Sequence, residues 1–86
     1  MKIKKNLVKR SIMDEVILVP VENTSLAVKG LITLNETAEF LWDKLPDAAD
    51  AEALSALLCE EYEVDPADAL RDTEDFIAEL TKLGII

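Results

Sequence analysis

The chain has no histidine and only one cysteine, so the side chains most often used in catalysis and zinc binding are scarce. Cys59 has no second cysteine with which to form an internal disulfide, and a zinc site needs more cysteine and histidine ligands than the chain has. Glu60 and Glu61 follow Cys59 directly, and their charges disfavour a nucleophilic thiolate. The two glycines fit no phosphate-binding loop. The sequence therefore predicts a protein that is not an enzyme and that uses neither a metal nor a cofactor.

Long apolar runs are missing as well. The longest, Val16 to Val21, has six residues and contains Pro20, whereas a membrane-spanning helix needs about 20. The basic first ten residues are not followed by the apolar core of a signal peptide. A single unpaired cysteine suits a reducing compartment. We expect a cytoplasmic protein that does not act at a membrane.

Basic residues are few beyond the first ten positions. Five of the nine lie within residues 1–10, whereas all eighteen acidic residues follow position 13. The acidic body repels phosphate backbones, so no nucleic-acid partner is expected. A cationic partner segment is favoured instead, through association rate and orientation more than through net affinity.

The first third of the chain carries the signals of β-strands. Val8, Arg10 and Ile12 alternate with Lys9 and Ser11 in a period-two pattern, and Asp14–Glu15 suggests a turn. Val16 to Val19 is a short apolar run that ends at Pro20, a residue typical of a strand end or edge. Leu31 to Leu34 predicts a third strand, and the residues leave open whether Leu26 to Val28 joins it.

The remaining two thirds predict three helices. Asn35, Asp50 and Asp65 are good N-caps, Pro46 ends the first helix, and Gly84 suits the end of the third. Apolar residues recur at helical spacing in each helix: Ala38, Leu41, Trp42 and Leu45 in the first; Leu54, Leu57, Leu58 and Tyr62 in the second; and Leu70, Thr73, Phe76, Ile77, Leu80 and Leu83 in the third.

Strands followed by helices indicate an α+β fold, and residues 1–86 are predicted to form a single domain. The expected architecture is a small three-stranded antiparallel sheet followed by a three-helix bundle, with a winged-helix-like outline. A winged helix raises the possibility of DNA binding. The third helix, however, offers only Arg71 and Lys82 against five acidic residues, which argues against that function.

The third strand is the first candidate for a binding surface. If the strands lie in sequence order, it forms an edge of the sheet, and Leu31 to Leu34 has neither the charge nor the proline that usually protects an edge. Such an edge can accept an added peptide strand. Alternatively, Ile32 and Leu34 only pack on the first helix. Both can hold, because alternate residues of a strand face opposite sides.

The third helix is the second candidate. Its apolar arc is roughly 140° wide, broader than the ~100° needed to face a core. Leu70 and Ile77 lie on one flank, and Phe76 and Leu83 lie on the other. One flank is expected to remain exposed beside the third strand as the wall of a groove; a fully buried arc is the alternative. The acidic residues at positions 65, 68 and 72 are interpreted as a solvated face rather than a metal site.

Residues 30–42, Gly-Leu-Ile-Thr-Leu-Asn-Glu-Thr-Ala-Glu-Phe-Leu-Trp, resemble the "strand–LNETA–xxxW" signature of PqqD-like proteins. Residues 60–66 and 76–86 are also similar to that family, and the resemblance extends over essentially the whole chain. One departure is the segment between the second and third strands. Glu22 to Ser25 stands where a glycine-centred turn is usual.

The resemblance implies a fold of three strands and three helices that serves as the recognition element of ribosomally synthesised peptide pathways. Such domains bind the leader of a precursor peptide as an extra strand between strand 3 and helix 3. They present it to a modifying enzyme, often a radical S-adenosylmethionine enzyme. The peptide-binding residues that it implies are Lys29, Leu31, Ile32, Thr33 and Leu34 on the strand and Leu70, Thr73 and Ile77 on the helix. The alternative function is a protein-docking adaptor or a homodimeric regulatory module without a peptide substrate.

Overall fold

The computed structural model describes residues 1–4, 7–20 and 32–86, and in these residues three strands precede three helices. The strands are β1 (Leu7–Ile12), β2 (Glu15–Pro20) and β3 (Ile32–Leu34). The helices are α1 (Glu36–Lys44), α2 (Ala51–Glu61) and α3 (Pro66–Lys82), and a 3-10 turn (Leu45–Asp47) follows α1. The predicted α+β architecture is confirmed.

The three strands form one antiparallel sheet in the order β1-β2-β3. A two-residue turn, Met13–Asp14, joins β1 to β2. The prediction of a turn at Asp14–Glu15 was wrong by one residue, because Glu15 pairs with Ile12 in the sheet. Met13 takes the left-handed backbone conformation with a φ of 58°, which allows so short a connection.

The pairing of β2 with β3 decides which side chains face the helices. Val16 lies opposite Leu34 and Leu18 lies opposite Ile32, so these four side chains share one face of the sheet. Leu18 and Leu34 are buried and Ile32 is half-buried. Thr33 points to the other face and is exposed. A shift of one residue in this register would exchange the two sets of side chains.

The three helices begin at the residues that the sequence predicted. Each N-cap side chain accepts a hydrogen bond from a main-chain amide of the first turn, which satisfies a donor that the helix itself leaves unpaired. These bonds join Asn35 to Ala38 (2.8 Å), Asp50 to Ala53 (2.8 Å) and Asp65 to Ala67 (2.9 Å). Helix α1 ends just before the 3-10 turn that contains Pro46.

One apolar cluster joins the sheet to all three helices. Its centre consists of side chains with no exposed surface: Leu18 from β2, Leu45 after α1, Leu54 from α2, Leu80 from α3, and Ile85. Full burial of each such side chain stabilises the fold by about 1.5–3 kcal/mol. Trp42 belongs to the same cluster and is 8% exposed, so its prediction as a core residue is confirmed.

Helix α3 ends in a turn that folds the chain back onto the core. Gly84 has a φ of 78°, a conformation that glycine adopts with little strain. The amide of Ile85 donates to the carbonyl of Leu80 (2.9 Å), and the amide of Gly84 donates to that of Thr81 (3.0 Å). The carbonyl of Ile85 then accepts a bond from the amide of Lys4 (2.6 Å). Residues from both ends of the chain thus close the core together.

An ion pair links the sheet to α1. The ammonium of Lys9, on β1, lies 2.8 Å from a carboxylate oxygen of Glu39 and 2.9 Å from one of Asp43. The hydrogen bonds that the ammonium donates to Glu39, and then those to Asp43, raise the pKa of Lys9 above its usual 10.5. The Lys9 side chain remains 32% exposed, so solvent screens the pair.

Replacing Lys9 with methionine should lower the free energy of unfolding by no more than about 1 kcal/mol, because the pair is exposed. Folding raises the pKa of Lys9, so the advantage of the native chain should be complete below pH 10.5 and should disappear as the pH rises through the higher pKa of the folded state. Urea unfolding at several pH values, followed by the fluorescence of Trp42, measures the difference in the free energy of unfolding and its dependence on pH. An advantage that does not change across this pH range would mean that the aliphatic part of Lys9, rather than its charge, stabilises the fold.

Candidate functional site

Strand β3 is paired on one side only among the described residues, where β2 is its sole partner. The main-chain groups along its other side therefore have no strand partner within residues 1–4, 7–20 and 32–86. A short uncharged edge of this kind can accept hydrogen bonds from an extended peptide.

A cleft of about 310 Å³ lies next to the end of β3. Helix α1 packs on β3 and α2, whereas α3 packs chiefly on α2, and the cleft opens between α1 and α3. Seven residues line it: Asn35, Thr37, Ala38 and Leu41 from the start of α1, and Asp72, Asp75 and Phe76 from α3. The cleft thus begins at the residue that follows β3 and has α3 as one wall.

The lining of the cleft changes from apolar to polar. Leu41 is buried and Ala38 and Phe76 are half-buried, whereas Asp72 and Asp75 are exposed. Such a site can hold an apolar side chain in its interior and can place a polar or charged group between the two aspartates.

Three of the five strand residues predicted to bind peptide lie on β3. Thr33 is exposed and Ile32 is half-buried, but Leu34 is buried, so its side chain is a core residue and only its main chain belongs to the edge. Lys29 and Leu31 lie outside the described residues, as do Leu26 to Val28.

The predicted helix residues lie on other parts of α3. Leu70 and Ile77 are half-buried, and Thr73 is completely buried. None of the three lines the cleft. At 100° per residue, Leu70 and Ile77 stand about 140–160° around the helix from Asp72. Phe76 lies on the opposite flank of α3 from Leu70 and Ile77, as the periodicity predicts, and the flank of Phe76 is the one beside the cleft.

Only one of the two acidic residues of the cleft, Asp72, belongs to the face that the sequence predicts to be solvated. Asp75 enters the sequence analysis only as one of the five acidic residues of the third helix that argue against DNA binding. Their spacing from Phe76 was the available signal: positions 72, 75 and 76 lie on one side of a helix. An aromatic residue grouped with two carboxylates in this way suggests a binding surface rather than a face that only contacts solvent.

Acidic side chains outnumber basic ones on both α1 and α3. No ion pair within the described ranges involves Asp72 or Asp75; the three that occur there are Lys9 with Glu39, Lys9 with Asp43, and Arg71 with Asp68. On the far side of α1, burial and then the charges of Glu36, Glu61 and Glu39 raise the pKa of Tyr62 above 10.0.

Neither metal binding nor membrane insertion is indicated for the part of the chain that the structure describes. Within it, no three Cys, Asp or Glu side chains are grouped so that they could hold a metal ion. In the same residues, no helix combines the length and the apolar character that crossing a bilayer requires.

Fold and site together define a small α+β binding module, which offers a strand edge and an adjoining cleft to an extended ligand. The chain belongs to the PqqD family: the family model for Coenzyme PQQ synthesis protein D (PqqD) matches residues 15–86. The resemblance noted in the sequence is therefore confirmed.

A solved structure supports the same relationship. The chain is similar to TbiB1 in complex with the TbiA(beta) leader peptide, with 28% sequence identity and a TM-score of 0.67. The similarity covers 94% of this chain and 88% of that one. No curated protein matches the chain.

Thr73, which the family resemblance implies to be a peptide-binding residue, allows a test of whether its side chain belongs to the core instead. Its hydroxyl is buried and has no hydrogen-bond partner among the described residues. Thr73→Val should therefore stabilise the protein, by about 1 kcal/mol, because it removes an unpaired polar group and keeps the side-chain shape. Urea unfolding measures this change. Thr73→Ser, which keeps the hydroxyl and loses a methyl group, should destabilise by a similar amount. A loss of stability in the valine variant would show that the hydroxyl has a partner.

Proposed function

We propose that the protein binds the leader segment of a ribosomally synthesised precursor peptide and presents that peptide to a modifying enzyme. The observation that carries the proposal is the open side of β3 next to the cleft between α1 and α3. Membership of the PqqD family supports it, as does the similarity to TbiB1 in complex with a leader peptide. The whole chain then acts as one recognition domain rather than as an enzyme.

The proposed mode of binding is strand addition. The leader pairs with the main chain of β3, and its alternate side chains enter the cleft. Main-chain hydrogen bonds give affinity that depends little on sequence, whereas the lining of the cleft gives selectivity. On α3, Asp72, Asp75 and Phe76 are the wall that this mode uses; Leu70 and Ile77 lie on the opposite flank, and Thr73 is in the core.

The affinity expected for this mode is moderate. Burying three peptide side chains gives about 1.5–3 kcal/mol for each. Loss of translational and rotational freedom costs at least ~4 kcal/mol, and ordering a disordered leader costs more. Strand pairing offsets part of this cost. A dissociation constant of roughly micromolar order results, which suits capture of a peptide followed by its release.

The proposed function also requires a partner enzyme. The chain lacks histidine and holds a single cysteine, so we propose that another protein performs the chemistry. A radical S-adenosylmethionine enzyme is the partner that the family resemblance implies, and another peptide-modifying enzyme would serve the same role.

Synthetic leader peptides test the proposal directly. Fluorescently labelled leaders of short precursor peptides encoded beside the gene for this chain should bind with roughly micromolar dissociation constants in an anisotropy titration. If none binds at concentrations on the order of 100 μM, with or without the neighbouring modifying enzyme, the proposal fails.

Two proline substitutions test strand addition itself. The amides of Ile32 and Thr33 point to opposite edges of β3, because successive residues of a strand alternate. Of Ile32→Pro and Thr33→Pro, one should break pairing with β2 and lower stability. The other should leave the chain folded but remove a donor from the open edge, and should weaken leader binding by about tenfold. Urea unfolding identifies which is which, and anisotropy measures binding. Unchanged binding by the stable variant would exclude this edge.

The second candidate function is an adaptor or homodimeric module. It is favoured by the side of β3 that has no strand partner among the described residues, because such an edge can pair with the same strand of a second copy. Light scattering of the stable proline variant separates the two functions. Loss of self-association with unchanged peptide binding would favour the second candidate over the first.

A further inference from the structure

The cleft has a chemical character that narrows the choice of peptide. Its interior is apolar, formed by Ala38, Leu41 and Phe76, and its polar rim includes Asp72 and Asp75. A side chain that fills it well is long and apolar for most of its length and carries its polar group at the end. Arginine and lysine have this form, with aliphatic stems and a cationic head.

The two aspartates carry negative charge that the described residues do not neutralise. Arg71, which adjoins Asp72 in sequence, pairs with Asp68 at 2.9 Å. Lys44, on α1, lies over the ring of Phe40, 5.9 Å from its centre. The formal net charge of the whole chain is −9, so the surrounding field adds to the local charge. A cation is thus the favoured complement at the rim, and an acidic side chain is disfavoured.

The positions of the three α3 residues favour a planar cation. Asp72, Asp75 and Phe76 occupy positions i, i+3 and i+4, so they lie on one face within about one turn. A guanidinium can pair with a carboxylate through two parallel N–H donors while its plane stacks on an aromatic ring. The ammonium of lysine is a compact, strongly hydrated charge, and it makes neither of these planar contacts.

We propose that the peptide bound at this site places an arginine in the cleft, with its guanidinium between Asp72 and Asp75 and against Phe76. This inference rests on the proposed function, since it assumes that an extended peptide lies along β3. It adds a rule of selection: the open edge accepts many extended peptides, and the acidic cleft selects those with a basic residue at one fixed position.

Selection from a random peptide library by mRNA display tests the rule without knowledge of the natural precursor. The folded native chain is the bait. The selected peptides should share a short apolar stretch and, at a constant distance from it, an arginine. Replacing that arginine with citrulline, which keeps its shape and removes its charge, should weaken binding roughly fivefold.

Two variants of the protein locate the effect. Asp72→Asn with Asp75→Asn should weaken binding of the selected peptides roughly fivefold and should bind the citrulline peptides as the native chain does. Glu74→Gln with Glu79→Gln is the matched control: it removes two charges from exposed positions of α3 that do not line the cleft. Its affinity should stay within about twofold of native. An equal loss in the control would mean that net charge, rather than the cleft, selects the peptide.

The outcomes separate this inference from the proposed function. Selected peptides that lose affinity for the stable proline variant of β3, yet show no enrichment of arginine or no response to the aspartate substitutions, would overturn the cleft rule and leave leader binding intact. If the library yields no binders, or binders indifferent to that proline, both the rule and the strand-addition mode are overturned.

Discussion

The pairing of β3 with β2 is the constraint on which the rest of the structure depends. It turns Ile32 and Leu34 toward the helices and leaves the other side of a three-residue strand without a partner among the described residues. The same register brings Asn35 to the start of α1, where it both caps the helix and lines the cleft. The pairing of β2 with β3 therefore positions the core side chains of β3, the open edge and the residue at which the cleft begins.

The site divides affinity and selectivity between two kinds of contact. A strand edge offers main-chain groups, which every peptide can match, so it discriminates little among sequences. The cleft offers side chains, and in the proposed mode its aspartates and Phe76 distinguish one residue type from another. Because the aspartates are exposed, their contribution to affinity is small and is weakened by salt. That balance suits the proposed capture of a peptide followed by its release.

Local signals in the sequence were sufficient for most of the fold. The caps Asn35, Asp50 and Asp65 mark the helix starts because a short polar side chain next to free amides is a local requirement. The wall of the cleft was not predictable in the same way. Periodicity shows that α3 is amphipathic, and the spacing of residues 72, 75 and 76 places them on one face, but which face lies beside α1 depends on how the helices cross. The peptide-binding role of Leu70 and Ile77, which do not line the cleft, therefore stays a prediction.

The hydrogen bond between Lys4 and Ile85 has a kinetic meaning. It joins residues 81 positions apart, so the segment that must close for it to form is almost the entire chain, and chain entropy opposes that closure. The β1–β2 hairpin and the α2–α3 pair involve much shorter separations and can form earlier. Formation of this hydrogen bond is thus expected to be a late event in folding, and its loss an early event in unfolding. Amide hydrogen exchange at Lys4 would then report the local opening of the core at this end.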